Sequence, residues 1–383
     1  MPSPNILLVT FDDLGVYEVT PTLMPNYTAF VGTGGARAYT RCYSMPVCSQ
    51  SRACMTFGKY GRTLGIIGPM GVDNGPEPAA LVDTLPELLR SEGYETCLVG
   101  KWHLGRNPLE LPLGYLGAPQ ARGYEWWLAG TPSNVDSYTA WLRVDGEEVT
   151  QETNYLTIEQ VTAASAWWST TQGPKFMHVA LNAPHGPYHF PPAELLGGFT
   201  SSATTQNRQK FECQIRSADW ALGQILAAVG QNAVVIVTAD NGSPPNAHPS
   251  LDHAGWKATT YEGGIRVPLA IRSQFGGGTS DRLVHLVDIP ASILSLVGIP
   301  KPAGWDSSSL YAPARETCLS EAEVNATGDT WAAAMTRRYK LIVRPGWPEE
   351  LYDLQEDPFE ADQLDLDDPL YASTLTTLRA VLG

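Results

Sequence analysis

The chain has 383 residues, with 25 basic and 40 acidic side chains and a net charge of −15. That acidity argues against nucleic acid or an anionic membrane surface as a general partner, because both would be repelled. The length is enough for a sizeable core and roughly two to three domains, no apolar run approaches a membrane span, and none of the six cysteines has the Cys-x-x-Cys spacing of a zinc site.

Residues 5–11 are an apolar, β-branched run that reads as a buried parallel strand. Only four residues precede it and none forms an apolar leader, so the expectation is a cytoplasmic protein. Asp12 and Asp13 follow where the strand stops. Adjacent carboxylates repel and require a cation or a proton. Ligands of open α/β sheets gather at the carboxyl ends of strands. A hard divalent ion held by oxygens is therefore one reading, and a simple turn or helix cap is the other. Cys48 and Arg52 come next, with small polar residues between them, so one reactive group and one fixed cation can face the same anion.

A short helix is predicted over 84–91, capped by Asp83, and a strand over 95–99. Beyond that strand Lys101 and His103 alternate on an extended segment and can point to one face. Such a pair suits an anionic group and proton transfer, whereas a lone His is more commonly structural. Residues 104–143 are rich in Gly, Pro and aromatics and read as substrate-facing loops. There Trp126, Trp127 and Tyr138 can stack on a sugar or an aryl group, or pack in the core.

Helices are predicted over 157–169 and 210–229, and between them a strand from 175 ends in a proline-stiffened loop that carries His185. Residues 233–239 repeat the first design, a β-branched run followed by Asp240, Asn241 and a Gly242 suited to a sharp turn. Asp240 and Asn241 can complete a four-oxygen cage with Asp12 and Asp13, although only the fold could unite pairs so far apart in sequence. Asn241-Gly242-Ser243 also fits a glycosylation acceptor, discounted because a metal ligand cannot carry a glycan. A helix over 286–297 ends at Gly298, with Pro300 beyond. The alternation of strands and helices predicts a mainly parallel sheet covered by helices. Near residue 313 the pattern changes: 331–336 and 339–343 read as a hairpin turned by Arg337 and Arg338, so the expected units are 1–312 and 313–383. The acidic excess is heaviest over 349–368, a solvated face.

In this order the blocks resemble the type I sulfatases of the alkaline-phosphatase-like superfamily. The matching residues are Asp12-Asp13, Cys48 with Arg52, Gly100-Lys101-Trp102-His103-Leu104-Gly105, His185, Asp240-Asn241-Gly242, Lys257 with Glu262-Gly263-Gly264-Ile265-Arg266-Val267-Pro268, and Leu351-Tyr352-Asp353-Leu354. The resemblance implies an alkaline-phosphatase-like α/β fold with a small C-terminal antiparallel sheet, and hydrolysis of an aryl or carbohydrate sulfate ester. It implies that a formylglycine-generating enzyme oxidises Cys48 to formylglycine, whose hydrate attacks sulfur. One divalent metal would be held by Asp12, Asp13, Asp240, Asn241 and residue 48. Hard oxygen ligands favour Ca2+, with Mg2+ and Mn2+ as alternatives.

By the same resemblance Arg52 holds the attacking oxygen, Lys101 or His185 protonates the leaving alcohol, His103 takes the proton whose loss expels sulfate, and Lys257 clamps a sulfate oxygen. His178 and His189 match no block and read as structural, as does a Glu262–Arg266 ion pair behind the site. Gln50 stands where the family has Pro or Ala, so partial or host-dependent modification of Cys48 is expected. The second reading is a phosphodiester or phosphonate monoester hydrolase with the same apparatus. The third is a silent binder of sulfated ligands whose Cys48 is never converted.

Overall fold

The computed structural model describes residues 3–32, 35–66, 68–70, 83–105, 118–247, 255–323 and 330–383. Ten strands form one sheet: β1 (Ile6–Phe11), β2 (Arg37–Tyr43), β3 (Glu95–Lys101), β4 (Trp126–Thr131), β5 (Trp141–Asp145), β6 (Glu148–Glu152), β7 (Lys175–Ala180), β8 (Val234–Ala239), β9 (Leu269–Arg272) and β10 (Gly278–His285), in the order β10-β2-β9-β8-β1-β7-β3-β4-β5-β6. The run from β8 through β1, β7 and β3 to β4 is parallel. β10 is parallel to β2, while β9 and the β5–β6 edge run antiparallel. All residues of β1, β7 and β8 are buried. That burial explains the nearly continuous apolar runs of β1 and β8, because strands covered on both faces cannot alternate, while in β7 the buried Lys175 and His178 are hydrogen-bonded.

Helices α1 (Pro25–Gly32), α4 (Leu156–Thr170) and α5 (Gln206–Val229) pack together, and α4 and α5 also meet the sheet. A second group is α2 (Cys48–Phe57), α3 (Leu85–Ser91) and α7 (Asp288–Val297). The one-turn α6 (Glu262–Ile265) precedes β9. Gly58 ends α2 in the left-handed region (φ 60°), with its N–H donating to Cys54 O at 3.1 Å, a Gly helix stop.

A second sheet is antiparallel: β11 (Cys318–Glu323), β12 (Thr330–Met335), β13 (Tyr339–Val343) and β14 (Glu350–Asp353). One side packs on Tyr43, Ile265 and Leu283 of the larger unit, and the other on Leu375 and Leu378 of α8 (Ala372–Leu382). The expected hairpin is β12–β13.

Three expectations are corrected. The cap of α3 is Thr84, not Asp83: Thr84 Oγ1 accepts from Glu87 N while Glu87 Oε2 accepts from Thr84 N, a capping box. The stretch 104–143 is not all loop, because it supplies β4 and β5; residues 106–117 of it lie outside the described ones. Within it Trp127 and Tyr138 are buried and hydrogen-bonded, to Gly100 O at 2.9 Å and His185 O at 2.8 Å, so neither is free to stack on a ligand. Trp126 alone of the three is exposed. Among the described residues no helix is long and apolar enough to cross a membrane.

Candidate active site

The sheet order explains how distant residues meet. β1 pairs with β8 in register from Ile6↔Val234 to Phe11↔Ala239, so Asp12-Asp13 and Asp240-Asn241 leave the sheet side by side. β7, on the other side of β1, delivers His185 through its following loop, and β3 beyond it ends on Lys101. Four neighbouring strand ends thus carry most of the candidate site, where an open α/β sheet binds its ligand.

Cys48 enters from another direction, as the first residue of α2. Ser51 ties that helix to the segment before it: its Oγ accepts from Met45 N at 3.0 Å and donates to Met45 O at 3.2 Å. Lys257 is brought to Cys48 by a backbone clasp, in which Lys257 N donates to Ser243 O and Ala258 N to Pro46 O, both at 2.9 Å. The chain bends at Asp240 and Asn241, while Gly242 itself has no left-handed φ. Its reason is close approach, since a Cβ there would lie 1.9 Å from Gly263 O.

At the centre Asp12, Asp13, Asp240 and Cys48 are all buried, and each offers a ligand atom within 4.8 Å of the others. Cys48 Sγ lies 3.3 Å from Asp12 Oδ1 and 3.3 Å from Lys257 Nζ. Lys257 also pairs with Asp13 Oδ1 at 2.6 Å. Lys101, itself buried, donates to Asp12 Oδ2 and to Asn134 Oδ1. Arg52 donates to Asp240 Oδ2 from Nε at 3.0 Å and Nη2 at 2.8 Å, and to Lys101 O from Nη1 at 2.9 Å. Arg52 is thereby committed to fixing Asp240 and the end of β3. His185 Nε2 stands 3.6 Å from Asp13 Oδ2, while its Nδ1 is engaged by Gly186 O at 2.8 Å.

His103 corrects the geometry expected from alternation. Its φ is +58°, so the chain is not extended there. Its Nδ1 is buried without a hydrogen-bond partner among the described residues, and its ring feels Lys101, Arg52 and Asp12. Left-handed φ also occurs at Asp13 (+67°) and Ala258 (+69°). Three non-glycine residues of the site thus share a conformation that costs energy and clusters where side chains must be aimed.

Burial would raise Asp12, but Lys101, His185, Arg52 and Lys257 hold its carboxyl well below the usual range. Burial and the charge of Asp12 push Asp240 up to about 6 despite Arg52. Burial, reinforced by Asp12 and Asp240, drives the Cys48 thiol well up, and an unionised thiol is a poor nucleophile. Lys257 is held well above its ordinary value because Asp13, Cys48 and Asp12 outweigh burial. Burial lowers His185 and, with Lys101 and Arg52, strongly lowers His103, so both rings favour the neutral form.

The donor set fits a hard divalent cation. Asn241 is buried, its Nδ2 donates to Asp13 Oδ1 at 2.8 Å, and its Oδ1 has no hydrogen-bond partner among the described residues. A half-turn of that amide, chemically a swap of O and N, exchanges a donor for an oxygen facing the carboxylates. With three carboxylates this makes the all-oxygen environment that suits Ca2+ or Mg2+.

His178 and His189 lie outside the cluster as expected. His178 bridges Thr10 Oγ1 at 3.0 Å and Tyr124 Oη at 3.2 Å, and His189 bonds Tyr155 Oη at 2.9 Å. All six cysteines are free thiols. Sequence reasoning missed Asn134. It lies outside every matching block, and its one sequence signal is that it follows a strand.

Residues 4–299 match the family described as Sulfatase. N-acetylgalactosamine-6-sulfatase of Sus scrofa is 28% identical over 88% of this chain and 71% of that protein. The Homo sapiens enzyme of the same name is 28% identical over 78% of this chain and 63% of its own length, so the match spans less than two thirds of it. The crystal structure of Ps i-CgsB in complex with k-i-k-neocarrahexaose superposes with TM-score 0.86 at 19% identity, covering 99% of this chain and 91% of that one. A structure in complex with its substrate D-glucosamine-2-N,6-O-disulfate has TM-score 0.76 at 18% identity, covering 99% and 97%. The family match takes in every one of the candidate residues gathered at these strand ends, and the chain belongs to the sulfatase family, the sulfuric ester hydrolases with the alkaline-phosphatase-like fold.

Proposed function

We propose that this protein hydrolyses sulfate esters of carbohydrates, with residue 48 acting as formylglycine. One observation carries the reading: Cys48 Sγ, at the start of α2, lies against Asp12 and Lys257 inside a buried group of three carboxylates. In the thiol form Sγ stands in for the hydroxyls of the hydrated aldehyde. A sulfated sugar is favoured because the pig and human relatives are named N-acetylgalactosamine-6-sulfatases, and two structural neighbours were solved with saccharide ligands.

When bound, a divalent ion at Asp12, Asp13, Asp240 and Asn241 supplies positive charge to the sulfate oxygens, and formylglycine supplies the nucleophilic hydroxyl. Lys257, whose Nζ spans Asp13 and residue 48, holds a sulfate oxygen. Lys101 donates a proton to the leaving oxygen. His185 donates from Nδ1 to Gly186 O, so Nε2 is the atom that exchanges a proton beside the ester. His103, neutral and with Nδ1 unpartnered among the described residues, accepts the proton whose loss releases sulfate. Arg52 keeps Asp240 and Lys101 in place.

The test is coexpression with a formylglycine-generating enzyme, peptide mass spectrometry over residue 48, and assay on N-acetylgalactosamine 6-sulfate and 4-nitrophenyl sulfate. Turnover should scale with the aldehyde fraction. High turnover by a wholly unmodified Cys48 sinks the formylglycine mechanism. Gln50 favours a second reading in which much of the protein stays silent. It occupies the place of the family's Pro or Ala, and Gln does not restrict the backbone as Pro does. Gln50→Pro should then raise the aldehyde fraction and activity together.

A further inference from the structure

We infer that Asn134 is a positioning residue for Lys101, setting the direction from which its proton reaches the leaving oxygen. The inference rests on the proposed role of Lys101 and deepens it. Lys101 ends β3 with its side chain fully enclosed, and among the described residues its Nζ has two partners, Asp12 Oδ2 and Asn134 Oδ1. An ammonium has three protons and no acceptor. Asp12 and Asn134 take two, and the third is left to point where these two partners dictate. Asp12 alone cannot fix that direction, because it also faces Cys48 and Arg52.

Asn134 differs from the rest of the cluster in being exposed. It follows β4 and accepts from Lys101 through Oδ1. It also lines a cavity of about 210 Å³ with Ser133, Asp136, Trp141 and Gln151. That volume is below the range of roughly 300–1,000 Å³ usual for drug-sized ligands, so it suits one small group. Because Asn134 holds the group assigned to the leaving oxygen, its contact belongs to the alcohol side of the ester. A sulfate clamp would instead face residue 48, as Lys257 does.

The chemistry makes the inference measurable. A general acid matters most when the leaving alcohol is a poor one. The protein, coexpressed with the formylglycine-generating enzyme, is assayed on aryl sulfates from 4-nitrophenyl sulfate to phenyl sulfate, as wild type, Asn134→Ala, Lys101→Ala and the double variant. Asn134→Ala should slow phenyl sulfate by about tenfold and 4-nitrophenyl sulfate far less, steepening the dependence on leaving-group basicity. In the Lys101→Ala background the same change should add almost nothing. The inference is overturned if Asn134→Ala slows all substrates equally, or if its effect adds in full to that of Lys101→Ala. Should Lys101→Ala itself leave phenyl sulfate turnover intact, the assignment of Lys101 as acid falls as well. An unchanged melting temperature for Asn134→Ala separates positioning from folding.

Discussion

Two of the buried ionic clusters among the described residues can be set side by side, and the difference between them shows what separates a site from a staple. One is the candidate site, with Asp12, Asp13 and Asp240 against Arg52, Lys101 and Lys257. The other joins the small sheet to the large unit. Lys340 of β13 pairs with Glu262 of α6 at 2.8 Å and with Glu360 at 2.7 Å, and Arg266 approaches Glu262 at 3.3 Å. Side chains of Lys340, Glu262 and Glu360 are 0–1% exposed, and their contacts meet ion-pair distance without hydrogen-bond alignment. Burial and paired charge are common to both. The site differs in convergence: ligand atoms of Asp12, Asp13, Asp240 and Cys48 lie within 4.8 Å of one another, whereas the two carboxylates of the other cluster are each turned to Lys340. Perturbed ionisation therefore does not mark function here; three carboxylates converging beside a reactive side chain do.

The comparison breaks most sharply if the two clusters respond alike to mutation. Asp12→Asn should remove metal uptake and turnover together, each read by elemental analysis and assay. Full metal content in that variant sinks the ligand assignment. Lys257→Ala should lower kcat by about 10²–10³, with little change in melting temperature. Lys340→Met should do the reverse. It leaves Glu262 and Glu360 buried without their cation and should cost about 3–5 kcal/mol in denaturant unfolding, while the surviving folded fraction keeps its turnover per molecule.

A pH experiment sharpens the contrast further. Burial pushes Glu360 up to about 7 from its ordinary 4.5 despite Lys340, with the nearby Glu262 charge adding to the rise. Between those values the folded chain holds a proton that the unfolded chain has lost. Stability from this group is full below about 4.5 and falls as pH rises toward 7. Glu360→Gln should flatten that slope in chemical denaturation; an unchanged slope rejects the assignment. The smallest effect is expected at Gln50, whose amide is buried with both polar atoms unpartnered among the described residues. Gln50→Met removes them at similar volume and should be neutral or stabilising by about 1 kcal/mol in the same assay. A clear loss would mean that the amide has a partner in solution.

Chemical identity was legible in the chain before folding. The apolar runs ending in Asp12-Asp13 and Asp240-Asn241 predicted buried strands with ligands at their ends, because a strand covered on both faces must be apolar throughout. Long helices and the C-terminal hairpin followed from periodicity, with boundaries a few residues off, since helix ends depend on caps such as Thr84 that compete locally with neighbours such as Asp83. What no local pattern contains is which strands become neighbours. The register of β1 against β8 unites the carboxylates, and the placement of β3 beyond β7 brings Lys101 to Asp12. Likewise, the left-handed turn at His103, the burial of Trp127 and Tyr138, and the approach of Asn134 to Lys101 arise from packing between segments distant in sequence. The sequence by itself determined the chemistry available and the strand ends that carry it. The tertiary structure alone decided which groups face one another, because that is set by long-range pairing and burial.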